Sequence, residues 1–285
     1  MARNNPITAG GSRRQVEVSC VAWIDLLGYG AMLKRANFDP TQPEAKAAVE
    51  RLNTFQSIVL DSSEKLCPSL AMNDGAAFYR DLSPRAESVT AHFIKCAFDI
   101  HNKVNSVDKA LGFPGARTIV AAGFRVRTPT SMNDELINGY GKRLINQVKN
   151  NKISIEQAIN NAITLKPFFD SVPELQANFA FSKAFIADEA GSSAGFKGAN
   201  FYFDHSLFDE TLPHWISVEN TFDWDFAGLP TKFSSLSSFD EKEANKVRHK
   251  GIRNAFTIAE SLAVEPGVME RIKALTIKGG RHKYA

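Results

Sequence analysis

Apolar and polar positions change their period along this chain, and each change marks an element. Residues 16–25, VEVSCVAWID, are rich in β-branched residues and grow steadily more apolar, which predicts a strand buried on both faces toward its end. LLGYG at 26–30 interrupts it, and a short helical piece is expected next. From 43 to 62 the period becomes helical: Pro43 suits a first turn, and Ala45, Val49, Leu52, Phe55 and Val59 recur on one face. SLAMN at 69–73 and AAFYR at 76–80 are short apolar runs around Asp74-Gly75, a dipeptide that favours a hairpin. A second long helix is predicted over about 84–110, with Val89, Phe93, Ala97, Ile100 and Val104 inward and LGFPG at 111–115 ending it. RTIVAAGFRV at 117–126 reads as a further central strand.

Strand, helix, hairpin, helix, strand is the βαββαβ order of the ferredoxin-like, or split βαβ, arrangement. The expected class is therefore α+β: an antiparallel sheet with helices on one face. Residues 130–176 have a different texture, Asn- and Lys-rich and helical, and read as an insertion. A helix over 178–190, a flexible loop over 191–198 and a strand over 199–204 follow. An aromatic, turn-rich stretch containing Trp215, Phe222, Trp224 and Phe226 then leads to a C-terminal helix over 240–264. The organisation expected is a flexible arm over 1–14, one domain over 15–264 and a tail over 265–285.

Composition narrows the chemistry. At 285 residues, 44% hydrophobic and 23% charged, the chain is globular in kind. A net charge of +3 suits an anionic small molecule without demanding nucleic acid. The cysteines Cys20, Cys67 and Cys96 are odd in number and lack CxxC spacing, which favours a reducing compartment. The opening MARNNPITAGGSRRQ has no apolar core of a secretory signal. No apolar run approaches the roughly 20 residues that cross a bilayer. A cytoplasmic protein with no membrane partner is expected.

Two carboxylates carry the candidate chemistry. Asp25 stands at the end of a buried strand, where an unpaired charge is costly. Asp74 stands at the predicted hairpin tip. Each alone has a plain reading, as a turn cap or a hairpin residue. In a split βαβ sheet, however, the first strand and the central hairpin are neighbours, so the two carboxylates meet and repel unless a cation separates them. A hard divalent ion with oxygen ligands, Mg²⁺ in particular, combines one or two carboxylates with substrate phosphates. Arg117 and Arg125 flank a central strand, where they face a triphosphate or simply solvent. Tyr29, Phe78 and Tyr79 are candidates to stack on a base or to fill the core. His92 and His101 lack metal-ligand spacing, and no G-x-S-x-G, Walker A or G-x-G-x-x-G pattern occurs.

The segment Trp23-Ile24-Asp25-Leu26-Leu27-Gly28-Tyr29 resembles the first metal motif of class III nucleotidyl cyclases, and Asn73-Asp74-Gly75 is similar to the second. The resemblance covers roughly residues 16–126 and, more faintly, 178–204. It implies that two divalent ions, Mg²⁺ or Mn²⁺, are bridged by Asp25 and Asp74, with the backbone carbonyl of Leu26 completing one site. It further implies that Gly28 and Tyr29 open a helix whose amides receive phosphate, although Gly28 is equally a turn residue. A nucleoside triphosphate substrate and a homodimer with shared active sites follow from the same resemblance.

Departures from the family pattern bear on the base. Leu70 occupies the position, four before Asp74, where adenylate cyclases have a base-reading Lys. Asn178 matches the family's later Asn, but Ser182 stands where its transition-state Arg belongs, with Lys183 next. Lys183 offers a point charge in place of a fork, or is a surface lysine. Lacking the purine-reading Lys while keeping both metal motifs, the chain is similar to the pyrimidine cyclases of bacterial anti-phage (Pycsar) signalling. Asn178, Ala184 and Asp188 follow those enzymes' Gly-x₅-Ala-x₃-acid pattern, with Asn in place of Gly. The expectation is an enzyme making cyclic UMP or cyclic CMP, with UTP weakly favoured. Its alternatives are a purine cyclase and a degenerate cyclase-like module that binds nucleotide without turnover.

Overall fold

The computed structural model describes residues 15–127, 132–163, 172, 174–226, 229–263, 267 and 270. The arm expected over 1–14 lies outside these, as does the tail over 265–285 apart from two isolated positions. By internal contacts the chain divides into two compact units, one of residues 1–15 and 126–177, the other of 16–125 and 178–285.

In the first unit, helices α4 (Met132–Lys149) and α5 (Ile155–Ile163) pack on each other. Ser154 begins α5 with a capping box: its Oγ accepts from Gln157 N while Gln157 Oε1 accepts from Ser154 N. The tight turn before it is made at Asn151, which takes a left-handed φ of 53°.

The second unit is built on β1 (Gln15–Leu26), α1 (Tyr29–Arg35), α2 (Pro43–Ser62), β2 (Ser69–Met72), β3 (Gly75–Asp81), α3 (Glu87–Ala110) and β4 (Ala116–Arg127). Their sheet order, β2-β3-β1-β4, is that of the split βαβ arrangement, with β2–β3 and β3–β1 antiparallel. The sheet then continues. β5 (Phe201–Asp204) joins β4 in parallel, and the hairpin of β6 (Ile216–Phe226) and β7 (Leu229–Phe239) joins β5 through β7, giving a mixed seven-stranded sheet.

Period two divides β1 between two environments. Val18, Cys20, Ala22, Ile24 and Leu26 join the core with Phe55, Ile58 and Val59 of α2 and Phe93, Ile94, Ala97, Ile100 and Val104 of α3. Truncating one large residue here, such as Phe93, costs on the order of 3–5 kcal/mol through lost burial and the cavity left. The α3 stripe is the one expected, Val89 included as a partly buried member. Of the α2 stripe, Ala45, Phe55 and Val59 are buried and Leu52 packs against the core, but Val49 is 48% exposed, whereas Arg51, outside the stripe, is only 2% exposed. A charged residue that finds partners inside is invisible to a hydrophobic count.

On the other side of β1, Trp23 meets Phe181 and Phe185 of α6 (Phe179–Ala190) edge-on, at ring centroid distances of 6.0 and 5.4 Å. Asn178 caps α6 by accepting from Phe181 N. Gly123 of β4 lets α6 approach, because a Cβ there would meet the backbone of Ala180.

Two expectations change on the C-terminal side. The aromatic, turn-rich stretch is half of a long hairpin whose second strand, β7, carries no strand pattern. Ser234 and Ser235 are buried within it, and their hydroxyls are paired, Ser234 with His205 and Thr221, Ser235 with Asn220 N. The single helix expected over 240–264 is two, α7 (Glu241–Lys246) and α8 (Ala255–Leu262). Arg248, His249 and Gly251 take positive φ between them, which no continuous right-handed helix accommodates.

Candidate active site

The end of β1 and the β2–β3 hairpin meet as the topology requires. Asp25 lies opposite Gly75 in the ladder, and Leu26 N donates to Asp74 O at 3.0 Å. The hairpin loop is Asn73-Asp74, not Asp74-Gly75, since Met72 pairs with Gly75. Asn73 supplies the left-handed residue, with φ 53°. Gly75 is needed for a different reason: the Trp23 ring lies where its Cβ would be. Asn73 Nδ2 donates to Asp74 Oδ1 at 2.7 Å and Gln56 Nε2 to Asn73 O at 3.2 Å, so the tip is braced from two sides.

Asp25 is an electrostatic anomaly among the described carboxylates. Its carboxyl forms no hydrogen bond or ion pair among the described residues, and its pKa is pushed up to about 7. Burial is the main cause, the charges of Asp188 and Asp74 add to it, and Arg117 and Arg51 act against it. A carboxylate beside two others, held half out of water, asks for a cation. Among the described residues no group of three or more His, Cys, Asp or Glu is arranged to hold a metal. Two carboxylates at one sheet end are a donor set that Mg²⁺ accepts when its remaining ligands come from backbone and from a substrate's oxygens.

The other expected residues divide. Gly28 is exposed and left-handed, with φ 76°, and Tyr29 begins α1. The Tyr29 ring is buried, and burial together with the nearby Asp74 charge raises its phenol pKa. Arg117 is buried and engaged by the end of α6 and the loop beyond it: Nε pairs with the Asp188 carboxylate, Nη2 donates to Asp188 O at 2.7 Å and Nη1 to Phe196 O at 2.9 Å. A guanidinium there also complements the helix C-terminus. Lys183 pairs with the buried Asp204 at 2.8 Å. The structure thus gathers Asp25, Asp74 and Arg117, and leaves Lys183 with another partner.

Leu70 is partly buried in β2 opposite Ala77. Phe78 belongs to the core, and Tyr79 stacks with Arg125, whose guanidinium pairs with Asp81. Asp188 reaches the site from α6, accepting also from Trp23 Nε1 at 3.3 Å. The sequence named it only within a pattern. Nothing local marked the role of Arg51, because what defines it is three-dimensional.

No family model matches the chain, and no curated protein matches it. Among solved structures it is similar to the guanylyl cyclase Cya2, with 11% identity and a TM-score of 0.48 over 80% of this chain and 95% of that one. It is similar to the adenylyl cyclase CyaB from P. aeruginosa, with 9% identity and a TM-score of 0.49 over 81% and 98%. A bacterial light-regulated adenylyl cyclase gives 10% identity and a TM-score of 0.46 over 86% of this chain and 60% of that one.

Proposed function

We propose that this chain is a nucleotidyl cyclase of the class III type, converting a nucleoside triphosphate to its 3′,5′-cyclic monophosphate and pyrophosphate. One observation carries the reading. Asp25 and Asp74 come from distant parts of the chain to one sheet end, where the Asp25 carboxyl, with a pKa of about 7, has no cation bonded to it among the described residues.

Asp25, Asp74 and the Leu26 carbonyl would hold two divalent ions, Mg²⁺ or Mn²⁺. When bound, these supply acidification of the ribose 3′-hydroxyl and charge neutralisation at the leaving pyrophosphate. The chain's own residues do the rest. Backbone amides at Gly28 and Tyr29 face the triphosphate. Arg117, fixed by Asp188, lends positive potential from behind without needing to touch the phosphates. Asp25 near neutrality gives up its proton readily when a cation arrives. Lys183 contributes a transition-state charge only if it leaves Asp204.

The base is assigned to the pyrimidines because Leu70 in β2 offers no charge to read a purine; UTP is placed ahead of CTP with no residue that decides between them. On that reading the product is a second messenger, and anti-phage signalling is the setting that the motif resemblance suggests. The three free thiols suit the cytoplasm, and no helix among the described residues is long and apolar enough to cross a membrane. The active unit is proposed to be a homodimer.

Purified protein incubated with each of the four triphosphates and Mn²⁺ should yield one dominant cyclic product, cyclic UMP or cyclic CMP. A purine product corrects the base and keeps the enzyme. Triphosphate binding without any product favours the second reading, a cyclase-like module without turnover. That reading has its own support, since the three basic candidates, Arg117, Arg125 and Lys183, are already tied into ion pairs.

A further inference from the structure

The most fully satisfied charged group near the site is one that touches neither carboxylate. Arg51 of α2 and Asp108 of α3 are 2% and 5% exposed and form a two-pronged pair, Nε to Oδ1 at 2.7 Å and Nη2 to Oδ2 at 2.8 Å. The same guanidinium donates from Nη1 to Leu27 O at 3.1 Å and from Nη2 to Gly115 O at 3.3 Å, and lies 4.8 Å from the Phe113 ring centroid. Asp108 Oδ2 accepts from Gly115 N at 2.8 Å, and Leu27 N donates to Gly115 O at 2.9 Å. Both the N–H and the C=O of Leu27 are therefore held, one by Gly115 and one by Arg51.

Peptide planarity turns that grip into aim. Leu26 C=O and Leu27 N–H share one trans plane, so holding the amide on Gly115 directs the Leu26 carbonyl the opposite way. That is the side of β3, where Leu26 N already bonds Asp74 O. Leu27 C=O and Gly28 N–H share the next plane, so the Arg51 bond directs the Gly28 amide away from the helices. We infer that Arg51 and Asp108 are the positioning pair of the active site, setting the two backbone groups that face cation and phosphate. This rests on the cyclase reading for what those groups bind. The placement of the two peptide planes stands without it.

A buried ion pair can also be purely structural, and replacing one by apolar residues is often neutral or stabilising. Two variants separate the cases, Arg51→Lys, which keeps the charge but loses the fork, and the double variant Arg51→Met with Asp108→Leu. Each is compared with wild type for Mn²⁺ affinity without nucleotide, for turnover, and for exchange of the Leu27 amide. In Arg51→Lys the Leu27 amide, bonded to Gly115 O in the wild type, should exchange at least about tenfold faster while the amides of α3 are unchanged. Mn²⁺ affinity should fall by about 10–100-fold, the usual effect of losing a group that orients a ligand. The double variant should melt near the wild-type temperature and show the same losses. Wild-type amide exchange and wild-type Mn²⁺ affinity in a folded Arg51→Lys protein would overturn the inference. If the double variant does not fold, Arg51→Lys decides alone. If wild type makes no cyclic product from any triphosphate yet the exchange change appears, the cyclase reading fails and the positioning role remains.

Discussion

At Asp25 the folded state holds a proton that the unfolded chain has already lost. Its pKa rises from an ordinary carboxylate value of 3.8 to about 7. Below about pH 4 the side chain is neutral in both states and costs nothing. As pH climbs from about 4 to about 7 the unfolded chain ionises first, so stability falls, and above about 7 the whole penalty, on the order of a few kcal/mol, is present. Asp25→Asn should therefore melt higher than wild type at pH 8, equal it near pH 4, and make no product. Equal melting temperatures at pH 8 would mean that the carboxylate is not strained. Without nucleotide, Mn²⁺ should bind wild type more tightly as pH rises to about 7, because a proton must leave first. Asp25→Ala and Asp74→Ala should both lose turnover and the thermal shift that Mn²⁺ gives, while keeping the fold. His101 behaves oppositely. Buried against Thr118, its imidazole has a pKa lowered to about 4 by burial and by Lys109. The unfolded chain gains a proton that the fold refuses, so stability falls as pH drops from about 6.5 through 4, and a pH series of melts on His101→Gln should lack that loss.

Between elements, glycine sets how closely things approach. Gly75 lies under the Trp23 ring, which in turn donates to Asp188 on α6. Gly75→Ala should shift Trp23, loosen the contact of β1 with α6 and cost about 1–3 kcal/mol, as overpacked sites do. Because the shifted strand carries Asp25, turnover should fall by more than that stability loss explains. Gly123→Ala presses on the backbone of Ala180, where a helix must move as a body. Its melting temperature should fall further than that of Gly75→Ala, whose neighbour is a side chain. Thermal melts of the two variants compare these directly. Gly75 looked like a turn residue in the sequence because Asp-Gly so often is one. In the structure Asn73 makes the turn, and the glycine answers to a ring two strands away in the chain.

Over the whole molecule, a hydrophobic pattern and its spacing were enough to order the first seven elements of the chain and to bring Asp25 and Asp74 to one sheet end. That works because period and strand order are local or topological: alternation says which face is buried, and a split βαβ order leaves the two tips only one place to meet. The β7 strand escaped, since its buried serines carry the polarity of a loop and become strand-like only once His205, Thr221 and Asn220 are there to pair with them. Arg51 escaped for the same reason, a guanidinium among apolar helix positions whose partners lie on another helix and two turns. Arg117 and Lys183 were legible as cations, but not their engagement by Asp188 and Asp204, which depends on where α6 crosses the sheet. The sequence by itself determined the course of the sheet and the identity of its two acidic tips. The tertiary structure alone decided which charges are spent and which are left over, because the free energy of a buried charge depends on the groups around it, and those come from distant parts of the chain.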